Sequence, residues 1–375
     1  MLERNKLLTI FIIAIISFNS CSQTKHNKNQ IVYEKLESEI DSLMDEPKHS
    51  DFRGSVLISR NDKILYDKSY GDKISNSNTA FWIGSMTKSF TAAAILKLQE
   101  GNRLSVKDSI SKFIDNVPMD KMGITIHHLL THSSGLANNY IADGIIERAA
   151  ATNLILSAKL EYAIGEKYYY SAEGYNLLAI IIENVSGESY ESYISKNLLA
   201  QLNLGHTGFW GLEDNVKIKL APWNNPDLMN NFSRNIIYEG LSQSNYGYKG
   251  GTGIFSTTEN LNTWTKALKN NKVLNSENLH LMFKPYVSAR GDMQNGVFYG
   301  YGWFLEYNNR ALREIRHMGA EAGGIGHNGI IRTYENGYKV IVLSNSGVYQ
   351  GEGRLNGVEW GIVLSFDLRD IVETK

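Results

Sequence analysis

The chain has 375 residues, 42% of them apolar and 21% charged, with a formal net charge of −1. That length and apolar share suffice for a sizeable core and exclude a largely disordered chain. With no basic excess and no acidic block, the charge balance gives no reason to expect a nucleic-acid partner or a solvating tail.

Targeting signals come first along the chain. Arg4 and Lys6 precede Leu7 to Phe18, a 12-residue run that is apolar except for Thr9 and Ser17. Such a run is short for a bilayer span and has the length of a signal-peptide core. Ser20 then precedes Cys21, the only cysteine of the chain. A small residue before a lone cysteine, just past an apolar core, resembles a bacterial lipoprotein cleavage site. On that reading residues 1–20 are removed, and Cys21 carries lipid and ties the protein to a membrane of the cell envelope. A plain secretory signal with an incidental cysteine is the other reading. Residues 22–30 hold no apolar side chain and read as a tether to a domain over 31–375.

The following elements are expected in order. Ile31, Leu36, Ile40 and Leu43 have near-helical spacing over 31–45. Residues 54–60 and 64–70 read as strands around Asn61-Asp62-Lys63, a hairpin signal. Helices are expected from Ser89 to Glu100 before Gly101, from Tyr175 to Val185 before Ser186-Gly187, and from Leu261 to Lys269. Strands return at 298–307, 312–317, 329–334 and 338–344, and 358–371 reads as a last helix. Strands at both ends and helices between predict an α+β fold. One antiparallel sheet is built from both termini, flanked by helices, with a mainly helical lobe inserted at roughly 90–290.

Ser85 and Lys88 stand out. If Ser85 opens a helix, Lys88 lies one turn on and faces the same way. Unpaired N–H groups at the helix start suit a developing oxyanion and disfavour positive charge on Lys88. A desolvated lysine there can help deprotonate the serine. The spacing alone says little, because Ser22-Lys25 and Ser109-Lys112 share it. Only Ser85 is framed by a probable buried turn and a long alanine-rich helix. A helix-capping serine is the bland alternative.

The run FWIGSMTKSFTAAAILKLQEGNRLSVKDSISKFI over 81–114 resembles the superfamily of class C β-lactamases, D-alanyl-D-alanine carboxypeptidases and related esterases. So do ITIHHLLTHSSGL over 124–136, Gly174 to Gly187, Gly250 to Trp264, Tyr301-Gly302-Trp303 and Val342 to Asn345. The blocks span about residues 50–350 in order. The resemblance implies a β-lactamase/transpeptidase-like fold and a serine hydrolase with Ser85 as nucleophile. It implies Tyr170 as proton acceptor, with a phenolate favoured by a nearby lysine. It also brings Ala172 to the place of an asparagine that offers an amide to substrate. Losing that anchor costs discrimination for amide-bearing substrates. His317-Met318-Gly319 takes the place of the family's third motif, with His317 as donor or electrostatic stabiliser. Oxyanion donors would be the Ser85 N–H and one strand N–H after Gly319.

Other signals carry less. Gly324 to Gly329 matches a dinucleotide pattern but lacks a clear preceding strand and leads into a strand. Gly326-His327-Asn328-Gly329 competes with His317-Met318-Gly319 but falls too close to the following strand. His127, His128 and His132 suggest metal ligands, yet without a His-Glu-x-x-His motif they read as packing. The 21 tyrosines and 6 tryptophans read as core and pocket wall. The expectation is a serine hydrolase of a small-molecule or peptide ester or amide, with no metal or cofactor. A β-lactamase or D-alanyl peptidase and a catalytically silent scaffold remain as alternatives. The segment 205–250 is expected to build the pocket rim.

Overall fold

The computed structural model describes residues 34–50, 52–71, 78–209, 219–221, 245–320, 326–349 and 357–373. Cys21, the 22–30 tether and most of the expected pocket rim lie outside them. Residues 34–50 belong to a unit of their own, with a helix α1 over 34–44 followed by a short turn at Pro47–His49.

The second unit, Asp51–Glu373, carries everything that follows. It opens with β1 (Gly54–Arg60) and β2 (Lys63–Tyr70). Asn61 and Asp62 both have positive φ, 47° and 67°. That is the two-residue hairpin turn whose twist matches the flanking strands. After β3 (Thr79–Trp82) come α2 (Thr87–Glu100), α3 (Ile126–Leu130), α4 (Arg148–Ser157), α5 (Ala172–Ser186) and α6 (Tyr190–Ile194). The Ser171 hydroxyl caps α5 by accepting the Gly174 N–H at 3.1 Å, and Gly187 ends it at φ 76°. The chain continues through β4 (Gly208–Phe209), β5 (Lys219–Leu220), α7 (Lys249–Thr252), β6 (Ile254–Ser256), α8 (Thr258–Lys269) and α9 (Ser276–Met282). Next are β7 (Val287–Gly291), β8 (Asn295–Tyr299), β9 (Phe304–Asn308), β10 (Ala311–Ala320), β11 (Asn328–Tyr334) and β12 (Tyr338–Ser344). A small hairpin, β13 (Gly347–Tyr349) and β14 (Gly357–Glu359), leads into α10 (Trp360–Glu373).

Eight strands form one antiparallel sheet in the order β2-β1-β12-β11-β10-β9-β8-β7. The two ends of the chain meet where β1 pairs with β12, Val56 opposite Val342. The Arg332 guanidinium donates to Ser365 on α10, while Lys339 donates to Asn262 on α8. Arg332 lies opposite Val340, so Lys339, one residue along, points to the other face. Helices therefore cover both faces, and β12 is buried along its whole length. A second, small sheet has the order β4-β6-β3-β5.

Two sequence expectations need correction. The run 298–307 is a hairpin of β8 and β9 rather than one strand. Gly302, at φ 77°, turns the chain, and a Cβ there would lie 2.7 Å from the Lys88 carbonyl oxygen. The Gly324–Gly329 run does follow a strand, since β10 ends at Ala320. The strand after it, β11, pairs antiparallel with β10, which leaves no strand-to-helix phosphate loop.

At the centre, Ala92, Ala93 and Ala94 of α2 are all buried. A helix apolar on every side belongs inside a core. Phe90 stacks on Trp264 of α8 at 4.1 Å, and the Trp264 indole N–H reaches the Ser89 hydroxyl at 3.2 Å. The first turn of α2 is thereby held from below.

Candidate active site

Ser85 lies in the single turn Gly84–Met86 that runs straight into α2. Gly84 has φ 51°, a conformation that glycine adopts without strain. The turn is seated on the end of β10, with Gly84 and Gly319 facing each other. A Cβ on Gly319 would lie 2.0 Å from the Ile83 carbonyl oxygen and 2.8 Å from the Ser85 nitrogen. A Cβ on Gly84 would lie 2.9 Å from the Ala320 nitrogen. The Ser85 N–H opens the turn and has no carbonyl within it to meet. Ala320 supplies the strand nitrogen after Gly319, so two backbone donors can converge on one oxyanion.

Lys88 follows one turn later and is 0% exposed. Its Nζ donates to Ser85 Oγ at 3.1 Å and to the Gly251 carbonyl at 2.9 Å. The faces of Tyr170 and Tyr175 lie 4.8 and 5.5 Å away. Burial pushes the ammonium down from its usual value to about 7, and the charge of Glu173 opposes that shift. The lysine is thus neutral for much of its time near neutral pH while touching the serine.

The Ser85 side chain is close enough to the Tyr170 hydroxyl to act on its ionisation. Its environment does not favour a phenolate, contrary to the sequence expectation. Burial first, then the neighbouring Tyr140, Tyr168 and Tyr175 hydroxyls, push it well above the ordinary tyrosine value. The Lys88 amine lies over the ring, 4.8 Å from its centroid. A protonated Tyr170 can pass a proton on, and Lys88 is the group placed to accept one.

His317 sits on β10 and is 1% exposed. Its Nδ1 lies 2.7 Å from the Met318 carbonyl and must donate to it. Nε2 then accepts from the Tyr299 hydroxyl at 2.9 Å. Burial and the Lys88 charge hold the ring neutral, down to about 3. It can orient Tyr299 but brings no positive charge. His327, the competing histidine, is turned away to accept the Trp82 N–H at 2.9 Å. Ala172 is buried at the start of α5, and its N–H donates to the Asn138 side-chain oxygen at 2.9 Å.

The remaining candidates disperse. His127 meets the Tyr301 hydroxyl at 2.8 Å, and His128 caps α3 by bonding Thr125. Among the described residues no group of three or more His, Cys, Asp or Glu is placed to hold a metal. Lys112 reaches Asp108 at 3.0 Å, and the Ser109 hydroxyl donates to Met122, so the 109–112 pair does no shared chemistry.

Sequence reasoning gave four groups no place at the site, and read the first of them, His132, as packing. His132 is buried at φ 57° between Tyr170 (4.2 Å) and Tyr299 (4.6 Å), and its Nδ1 accepts the Ser171 N–H at 3.1 Å. Gly251 accepts from Lys88, and Asn176 in turn accepts the Gly251 N–H at 3.2 Å. Glu173 is the anion acting on Lys88. Adjacent Gly250-Gly251 was the one available signal. A Cβ on Gly250 would lie 2.2 Å from the Tyr175 carbonyl oxygen, so α7 presses against α5 there.

Comparison with known proteins agrees with this geometry. The Beta-lactamase family model matches residues 40–360. Penicillin-binding protein 4* of Bacillus subtilis is 26% identical over 324 residues, covering 78% of this chain and 68% of that protein. Protein flp of Staphylococcus aureus is 35% identical over 170 residues, 41% of this chain and 34% of that protein. The solved structure of the octameric penicillin-binding protein homologue from Pyrococcus abyssi superposes with a TM-score of 0.68 at 28% identity, covering 91% of this chain and 77% of that one. The chain belongs to the β-lactamase family, serine hydrolases that act through an acyl-enzyme.

Proposed function

We propose that Ser85 is the nucleophile for a small ester or amide, with Lys88 as its base and Tyr170 as proton relay. Neutral Lys88 takes the Ser85 proton as Oγ bonds the carbonyl carbon. The Ser85 and Ala320 N–H groups hold the oxyanion. The bond to the leaving group breaks as the proton passes from Lys88 through the Tyr170 hydroxyl to that group. Water then attacks the acyl-Ser85 ester, releases the acid and restores the serine proton. The observation that carries this reading is a fully buried Lys88 amine, held down near 7, at 3.1 Å from Ser85 Oγ.

Ala172 and Met318 favour small esters and amides over β-lactams and D-Ala-D-Ala peptides. Ala172 brings no side-chain amide for an acylamino group, and Met318 no hydroxyl for a substrate carboxylate. A site lacking one polar anchor discriminates less by a few kcal/mol at most. The names of the penicillin-binding relatives keep the second substrate class in the test. The sequence pattern around Cys21 further supports an envelope protein held to a membrane by lipid.

Intact-mass labelling of the soluble domain by a fluorophosphonate tests the core of the proposal. One adduct on wild type and none on Ser85→Ala is expected. No adduct on folded wild type would leave the silent scaffold in its place. Turnover of short acyl esters, with nitrocefin and D-Ala-D-Ala peptides untouched, is expected next; the reverse pattern would move the assignment to the penicillin-related class. Cys21→Ser should release the full-length protein from the membrane fraction, and retention there would refute the lipid anchor.

A further inference from the structure

We infer that Glu173 is a positioning residue for this acyl transfer: its buried side chain ties the backbone of residues 139–141 beside Tyr170 and brings a carboxylate to act on Lys88. The inference rests on the roles proposed above for Ser85 and Lys88.

Glu173 stands in the first turn of α5, three residues after Tyr170, and is 2% exposed. One oxygen, Oε1, accepts the N–H groups of Asn139 and Ile141, both at 3.2 Å. The N–H of Tyr140 between them is close enough to act on the carboxylate's ionisation. The other oxygen, Oε2, is buried without a partner among the described residues. A buried carboxylate left half unpaired is costly. A merely structural acceptor of these N–H groups would not need to be an acid at all.

The segment it holds has a strained point. Tyr140 is at φ 53°, uncommon for a bulky residue and sustained only when the surroundings impose it. Two neighbours on α5 impose it together, since Ala172 N–H is bound by Asn138 while Glu173 binds Asn139 and Ile141 on either side of Tyr140. The Tyr140 ring then lies 5.8 Å from that of Tyr248, and its hydroxyl is close enough to Tyr170 to act on its ionisation.

The charge has its own part. The groups around Lys88 are the Ser85 hydroxyl, the Gly251 carbonyl, the Tyr170 and Tyr175 rings, and the imidazoles of His132 and His317. Both imidazoles are held neutral and both tyrosines protonated. Glu173 is the carboxylate whose charge acts on Lys88; burial raises its own pKa, and the backbone N–H groups it accepts oppose that rise. It stops burial from driving the amine further down, out of the range where it both takes and returns a proton near neutral pH.

Glu173→Gln keeps an oxygen for the N–H groups and removes the charge. The measurement is the pH dependence of fluorophosphonate labelling, and of kcat/KM on a short acyl ester, for wild type, Glu173→Gln and Glu173→Asp. The limb belonging to Lys88 should move to lower pH by about 0.5–1 unit in the Gln variant, because losing a nearby anion lowers an ammonium pKa. In the Asp variant the limb should stay near its wild-type position while KM rises severalfold, since the shorter side chain keeps the charge and loosens the segment. A Gln profile that superimposes on wild type, or moves to higher pH, overturns the inference with the Ser85 reading intact. If Glu173→Gln does not fold, an Asp variant whose limb moves by as much as half a unit overturns it as well. Absence of labelling on wild type overturns the Ser85 reading first and this inference with it.

Discussion

Lys88 is the residue whose environment decides the chemistry. A lysine whose pKa is lowered on folding becomes neutral as pH rises through that lowered value. In its proposed role as base it is therefore half active at about 7, falling off below and levelling off above. We predict that kcat/KM on a short acyl ester rises about tenfold per pH unit below that point and levels off above it. A flat profile from pH 5 to 8 would remove Lys88 as the base. Replacing it by Met, which fills similar volume without a donor, should slow labelling of Ser85 by about 100-fold or more with little loss of folded protein. This pair was legible in the sequence because a three-residue step is one helical turn and both members sit on one element. Tyr170 and His317 were legible only through the family resemblance. Their ionisation was not legible at all, because burial sets it first, with the approach of Tyr140, Tyr168 and Tyr175 to Tyr170 and of Lys88 to His317, which no local pattern announces.

At the scale of elements, glycines do what the apolar pattern hides. The run 298–307 is aromatic enough to read as one strand, yet Gly300 and Gly302 break it into two and let the turn rest on the Lys88 backbone. Helix ends were easier to read, since Gly101 and Gly187 follow α2 and α5 directly. The seating of the nucleophile turn on β10 joins residues more than two hundred positions apart, so spacing could not reveal it. That seat makes a specific prediction for Gly319→Ala. The new methyl would meet the Ile83 carbonyl oxygen and the Ser85 nitrogen, neither of which is a flexible side chain. The turn must shift, and with it one of the two oxyanion donors. We expect a stability loss of about 1–3 kcal/mol by urea denaturation, with a fall in labelling rate of about 10²-fold. Wild-type labelling by a folded Gly319→Ala protein would show that the close packing of Gly84 on Gly319 is not needed for chemistry.

At the scale of the molecule, the sheet must hold both ends of the chain together, because β1 and β12 are neighbours while the site lies between the sheet and α2. The alternation of apolar runs at the two ends made that closure legible. The buried charge that secures α10 was not. Arg332, 1% exposed, bonds Glu314 on β10 at 2.7 Å and Ser365 on α10 at 3.1 Å. Glu314 also meets Arg316 at 3.0 Å, so the carboxylate has two cationic partners while Arg332 has one anion. Removing a partner from a buried pair leaves the survivor uncompensated, whereas replacing both by apolar groups can be nearly neutral. Arg332→Leu should thus cost about 3–5 kcal/mol by urea denaturation. Arg332→Leu with Glu314→Leu should recover part of that loss, though less than all, because Arg316 then loses a carboxylate and keeps only Glu306. Additive losses in the double variant would mean that Arg332 acts through Ser365 and α10 rather than through the charge of Glu314. The site should register the difference too. α10 packs on β11 and β12, and β11 pairs with the β10 strand that seats Ser85. A loosened α10 should therefore lower the labelling rate of Ser85 before the protein unfolds.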